Sequence, residues 1–133
     1  LLTTGPRIGR LVFLSTKRVI MLDSVTSLAL TSALDGLALR QRTIANNIAN
    51  INTPDYHAKV VSFENALAKS VADGNGVSAA TTERSLDPTL LNGNNVNLDT
   101  ETLANIDALL RYQFAAKAVE GPVSSIRAAM KTA

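Results

Sequence analysis

Two runs of residues that step alternately by threes and fours frame this sequence and dominate what it can fold into. Leu30, Leu34, Leu37, Gln41, Ile44, Ile48 and Ile51 form the first; Leu109, Tyr112, Ala116, Val119, Val123, Ile126 and Met130 form the second. That spacing returns a side chain to the same helical face every turn, so each run predicts an amphipathic helix with a heptad seam. Leu103, Ile106 and Leu110 add a neighbouring stripe at the start of the second run. Ala38, Ala45 and Ala49 lie beside the first seam and leave room for another helix to approach closely.

Helix-stopping residues set the limits. Thr53 precedes Pro54, and a residue before proline is pushed out of the α region, so the first helix is expected over 24–51. Asp99 can cap a second helix over 99–131, with Glu101 adding favourable charge near its positive end. Gly121-Pro122 falls inside that helix and predicts a bend or a fresh start there. Between the helices, residues 52–72 read as a turn, an extended stretch from Tyr56 to Val61 and a short helix from Phe63. Residues 73–98 are rich in Gly, Asn, Ser and Thr and read as a flexible polar loop, tolerant of insertion after Gly76. The expected fold is therefore all-α: two long terminal helices paired as a coiled-coil-like hairpin in a single domain over 21–133.

Composition agrees with helix-on-helix packing. There is no Trp, and the aromatics are Phe13, Tyr56, Phe63, Tyr112 and Phe114, too few to fill a sheet sandwich. The formal charge of +2 hides an asymmetry. Residues 1–20 hold Arg7, Arg10, Lys17 and Arg18 and no acid, whereas 9 basic and 11 acidic residues follow. Residues 1–20 show no clear period and read as an unstructured extension, upstream of a start at Met21. Four dispersed charges are too few for a nucleic-acid stripe.

Catalytic and cofactor classes find little support. With no cysteine and one histidine, His57, the chain offers no thiolate and no cluster of zinc ligands. Asp55 and His57 lack the nucleophile that a general-base pair would serve. Asn92–Asp99 lacks the ligand order of a calcium loop, and Gly74-Asn75-Gly76 lacks the Lys-Ser/Thr of a phosphate loop. No catalytic, cofactor or metal residue is expected, and neither a nucleic acid nor a small-molecule substrate.

The two helices together have more apolar surface than one shared seam can cover, which predicts self-assembly. The motifs point the same way. Ile44-Ala45-Asn46-Asn47-Ile48-Ala49-Asn50-Ile51-Asn52-Thr53-Pro54-Asp55-Tyr56 resembles the N-terminal signature of the flagellar axial proteins, which form rod, hook and hook-associated parts. Asn92-Gly93-Asn94-Asn95-Val96-Asn97-Leu98-Asp99, with Arg111-Tyr112-Gln113 beyond it, is similar to the matching stretch of the proximal-rod members. The family commonly has Gly where Asp55 stands and a basic residue where His57 stands.

The resemblance implies a structural subunit of the flagellar basal-body rod, whose terminal helices pair and stack into a torque-transmitting tube across the periplasm. It implies export without a cleaved signal peptide by the flagellar type III apparatus. Its implied partners are further copies, other rod subunits, a rod-adapter protein and the membrane ring. Residues expected at assembly interfaces are Leu30, Leu34, Leu37, Ile44, Asn46, Asn47, Ile48, Asn50, Pro54, Tyr56, Asn95, Leu98, Leu109, Tyr112, Val119, Val123, Ile126 and Met130. The alternatives are another flagellar rod subunit or a helical adaptor with a groove for a partner helix.

Overall fold

A computed structural model describes the backbone of residues 7–131 and the side chains of residues 24–121 and 127–131. The element order is α1 (Arg7–Ala49), β1 (Lys59–Ser62), α2 (Glu64–Ala72), β2 (Thr81–Arg84) and α3 (Leu98–Lys131). The protein is mostly helical. α1 and α3 pack along each other, and the last turns of α1 meet the first turns of α3, so the pair is an antiparallel hairpin.

α1 buries the seam its spacing predicts. Leu37 and Ile44 are buried, and Leu30, Leu34, Gln41, Ile48 and Ile51 are half-buried. The helix starts earlier than expected. Its backbone is helical from Arg7, through much of the stretch for which the sequence predicts no regular structure. Extending a nucleated helix needs no apolar period, only residues that tolerate the conformation, and Arg7, Arg10, Leu11, Leu14, Lys17 and Arg18 are good helix formers. At the other end the bonds tighten before Pro54: Asn50 N donates to the carbonyls of both Asn46 and Asn47, and Ile51 N to that of Ile48.

α3 begins at Leu98, one residue before the expected cap. Asn97 caps it, its Oδ1 accepting from Asp99 N at 3.0 Å and Thr100 N at 3.2 Å. Asp99 instead lies in the first turn, where its charge still favours the helix dipole. The helical backbone runs without a break through Gly121 and Pro122.

The all-α expectation needs one correction. β1 and β2 form a two-stranded antiparallel sheet in which Lys59 faces Arg84 and Ser62 faces Thr81. β1 lies largely within the extended stretch that the sequence predicts. β2 falls inside the supposed flexible loop, and all four of its residues are exposed. Such a strand carries no alternating apolar signal; it forms because β1 offers a backbone edge.

The core is small. Leu37, Val61, Phe63 and Ala108 are its buried centre, with Ala33, Leu39, Leu67, Ala80 and Tyr112 packed around them. Phe63 reaches α1 at Gly36, where a Cβ would stand 2.7 Å from the ring. Over the ring lies the Arg40 guanidinium, 4.9 Å from its centroid. Arg40 also donates to the Val61 carbonyl at 2.9 Å and pairs with Glu64 at 2.6 Å. That partner holds the Glu64 carboxyl down at about 2, well below its ordinary 4.5.

Nor is the segment after α2 free. Gly76 is buried, its amide bonded to the Ser70 carbonyl and its own carbonyl to the Ser32 hydroxyl. Gly74 is exposed and a Cβ there would meet nothing, but its φ of 79° favours glycine and its amide is bonded to the Val71 carbonyl.

Candidate assembly interface

The asparagines of the two sequence motifs meet where α1 ends and α3 begins. Asn47 is fully buried. Its Nδ2 donates to the Lys59 carbonyl at 2.9 Å and to Glu101 Oε1 at 3.0 Å. Its Oδ1 accepts from Lys59 N at 2.9 Å and the Tyr56 hydroxyl at 3.2 Å. One amide thus ties α1, β1, the turn and α3 together.

Asn94 and Asn95 hold the turn from the other side. Asn94, also fully buried, donates through Nδ2 to the carbonyls of Asn50 and Thr53, at 2.9 and 2.8 Å. Asn95 Oδ1 accepts from Ala58 N at 2.7 Å, and its Nδ2 donates to the carbonyls of Asp87 and Ser85. Backbone bonds complete the join, Asp55 N to the Asn92 carbonyl and Asn95 N to that of Tyr56. Among the described residues no buried side-chain nitrogen or oxygen lacks a hydrogen-bond partner. A buried polar network satisfied to this degree fixes one geometry.

Asp55 sits in the left-handed region at φ 59°, which Asp enters more readily than most residues. Gly93, at φ 77°, presses against it, and a Cβ there would collide with Asp55 Oδ1. Beside this turn an open cleft of about 560 Å³ is lined by Asp55, His57, Lys59, Glu83 and Arg84 among others. Charges of both signs line it, so it selects neither anions nor cations. Among the described residues no cluster of three His, Cys, Asp or Glu is placed to hold a metal ion.

Glu101 is the carboxylate that Asn47 holds. Burial raises its pKa, partly offset by the bond from Asn47, while burial and then the Glu101 charge push the Tyr56 hydroxyl up.

The residues expected at interfaces therefore divide. Leu37, Ile44, Asn47 and Asn95 are buried inside the chain. Leu30, Leu34, Ile48, Asn50, Tyr56, Tyr112 and Val119 are half-buried, while Asn46, Pro54, Leu98, Leu109 and Met130 are exposed. The side chains of Val123 and Ile126 lie outside the described residues.

α3 has two opposite faces, and its heptad reading needs revision. Glu101, Ala104, Ala108, Tyr112, Ala115 and Val119 turn inward, mostly small residues that let the helices approach. At roughly 100° per residue, Leu103, Ile106, Leu110 and Phe114 fall within an arc of about 80° on the other side. They are 69%, 51%, 61% and 79% exposed. Sequence spacing found Leu103, Ile106 and Leu110 of this stripe but not Phe114, and it assigned Leu109, 45% exposed, to the inner seam instead of Ala108, which is wholly buried. Ranking by size misleads here, because the smaller side chains face in.

A family model described as flagella basal body rod protein matches residues 28–57, the seam of α1 and the turn after it. The flagellar basal body rod protein FlgB of Bacillus subtilis (strain 168) is 32% identical over 115 residues, covering 74% of this chain and 87% of that protein. The chain belongs to the FlgB family of flagellar basal body rod proteins. FlgB of Escherichia coli (strain K12) is 29% identical over 116 residues, covering 71% of this chain and 84% of that one. For FlgB of Yersinia enterocolitica the figures are 31% over 103 residues, 61% and 75%. As a member of the FlgB family the chain is a structural rod subunit and not an enzyme. Among the described residues no helix is long and apolar enough to cross a membrane.

Proposed function

We propose that this rod subunit polymerises through its terminal helices, with itself and other rod subunits, into the proximal rod that transmits torque. On this reading the flagellar type III apparatus exports it without a cleaved signal peptide. It is then seated in the periplasm against the rod-adapter protein and the membrane ring. The observation that carries the reading is the outer face of α3. Four large apolar side chains there remain in water after the hairpin has closed. Removing the surface each still exposes from water in an assembly contributes roughly 1–2 kcal/mol, enough together to favour association.

Leu110→Asp tests it, with Asn105→Asp as an exposed substitution off that strip. Burying an unpaired carboxylate in an apolar contact costs several kcal/mol or more. Leu110→Asp should be exported yet fail to enter basal bodies, with motility lost, while Asn105→Asp should swim. Normal motility of Leu110→Asp would sink the reading, as would a soluble complex of fixed stoichiometry in place of a rod.

A further inference from the structure

Asparagine is a thermolabile residue, and it is most so before glycine. The chain has two such pairs, Asn75-Gly76 and Asn92-Gly93. A glycine has no Cβ, so its amide nitrogen approaches the asparagine side-chain carbon unhindered and its backbone bends freely as a ring closes. What the fold decides is whether the asparagine is at liberty to turn.

The two pairs are held differently. Asn92 is exposed but pinned: its Oδ1 accepts from Asn94 N at 3.1 Å and its carbonyl from Asp55 N at 2.9 Å. Gly93 N is bound as well, to the Leu90 carbonyl at 2.9 Å, and Gly93 is pressed against Asp55. Reaction at Asn92 therefore requires the clasp between α1 and α3 to open. Asn75 is also exposed, and among the described residues nothing bonds its side chain or its carbonyl. The amides of Asn75 and Gly76 share one acceptor, the Ser70 carbonyl, at 2.9 and 3.2 Å. The Gly76 bond is the longer of the two, and it lies just past the end of α2, where helices fray. Losing that single bond frees the nucleophile.

We infer that Asn75 is the site at which the folded chain deamidates spontaneously, while the clasp keeps Asn92 intact. Gly76 N gives up its proton to water and bonds to Asn75 Cγ, and the carboxamide nitrogen leaves as ammonia, closing a succinimide. Water then opens the ring. Breaking the new Cγ–N bond leaves aspartate at 75; breaking the original peptide bond leaves isoaspartate, with the main chain routed through the side chain. Water is consumed, ammonia is released and nothing is oxidised or reduced. Either product places a carboxylate near Asp73 at the C-terminal end of α2, where the helix dipole disfavours negative charge. Isoaspartate also lengthens the main chain just ahead of Gly76, where there is no slack. A Cβ on Gly76 would stand 2.6 Å from the Val25 carbonyl oxygen. The Gly76 carbonyl accepts from the Ser32 hydroxyl at 3.3 Å, and that hydroxyl accepts from Ser78 N. Isoaspartate at 75 thus loosens the segment after α2 from α1.

The purified full-length chain is incubated at mildly alkaline pH, both folded and in urea, and sampled by tryptic mass spectrometry. Trypsin separates the sites, with Asn75 in the peptide Ser70–Arg84 and Asn92 in Ser85–Arg111. In the folded chain Asn75 should gain the mass difference between amide and acid several times faster than Asn92. In urea the two should convert at similar rates, because the clasp is gone. Equal rates in the folded chain, faster conversion at Asn92, or an unchanged Asn75 would overturn the inference. The product at 75 should contain isoaspartate, and aspartate alone would rule out the ring. Freshly purified Asn75→Asp carries the charge without the longer main chain and separates the two consequences. It should melt slightly below the parent, and the isoaspartate-bearing fraction lower again. Identical melting of that fraction and Asn75→Asp would refute the loosening at Gly76.

Discussion

Asn47 on α1 and Glu101 on α3 are joined by a buried hydrogen bond of 3.0 Å, and the same asparagine holds both backbone groups of Lys59. This makes Asn47 the hinge pin of the fold. Asn47→Ala leaves the Lys59 amide, its carbonyl and the Glu101 carboxylate short of partners. We expect a loss of about 2–4 kcal/mol, read as a lower urea midpoint by circular dichroism. Asn46→Ala, one residue away and exposed, should cost much less.

Glu101→Gln tests the cost of the buried charge. The amide oxygen can still accept from Asn47, while the desolvation of a carboxylate is removed. Because the folded-state pKa of Glu101 is raised, its own contribution to stability is largest at low pH and is lost as pH rises through the folded value. Glu101→Gln should therefore be as stable as the parent or more so at pH 7. That advantage should fade as pH falls through the raised folded value and be gone below the ordinary carboxylate value of 4.5. Urea melts at several pH values would show it, and a neutral-pH destabilisation would contradict it.

Glu64 behaves in the opposite sense. Its pKa is depressed from 4.5 to about 2, so the stability it adds is present above 4.5 and drains away as pH falls toward 2. Glu64→Gln should flatten the acid limb of the stability profile between those values. The group is 43% exposed, so the effect is modest and should shrink in high salt. Arg40→Ala should be the worse variant, since it also uncovers the Phe63 ring and frees the Val61 carbonyl.

The turn at Asp55 offers a paired comparison. Asp55→Gly removes a left-handed strain of about 1 kcal/mol and should be neutral or slightly stabilising. Gly93→Ala adds a Cβ against Asp55 at a positive φ and should cost more than 2 kcal/mol. Thermal melts of the two variants should shift in opposite directions or show Asp55→Gly unchanged.

What the sequence disclosed depended on how each feature is held. The α1 seam was legible from Leu30 to Ile51 because its large side chains face inward, where spacing and burial agree. In α3 the large side chains face outward, so the same rule picked Leu109 over Ala108. β2 was invisible because Thr81–Arg84 pack nothing and serve only as a hydrogen-bonding edge. The asparagines were visible as a motif, but whether they faced a neighbour or their own chain was not. Their role depends on residues some 40 positions apart in sequence being brought together, such as Asn94 and Asn50. Local spacing carries no trace of that encounter.

Asn94, Asn95 and the Ser85 hydroxyl shape the loop from 85 to 94 chiefly by gripping its main chain, and the side chains at 86, 90 and 91 take no part. Those three positions are thus released from the duty of folding. Substitutions at those positions can change the surface of the loop while the frame beneath stays the same. The course of the main chain and the character of its surface are set here by different residues.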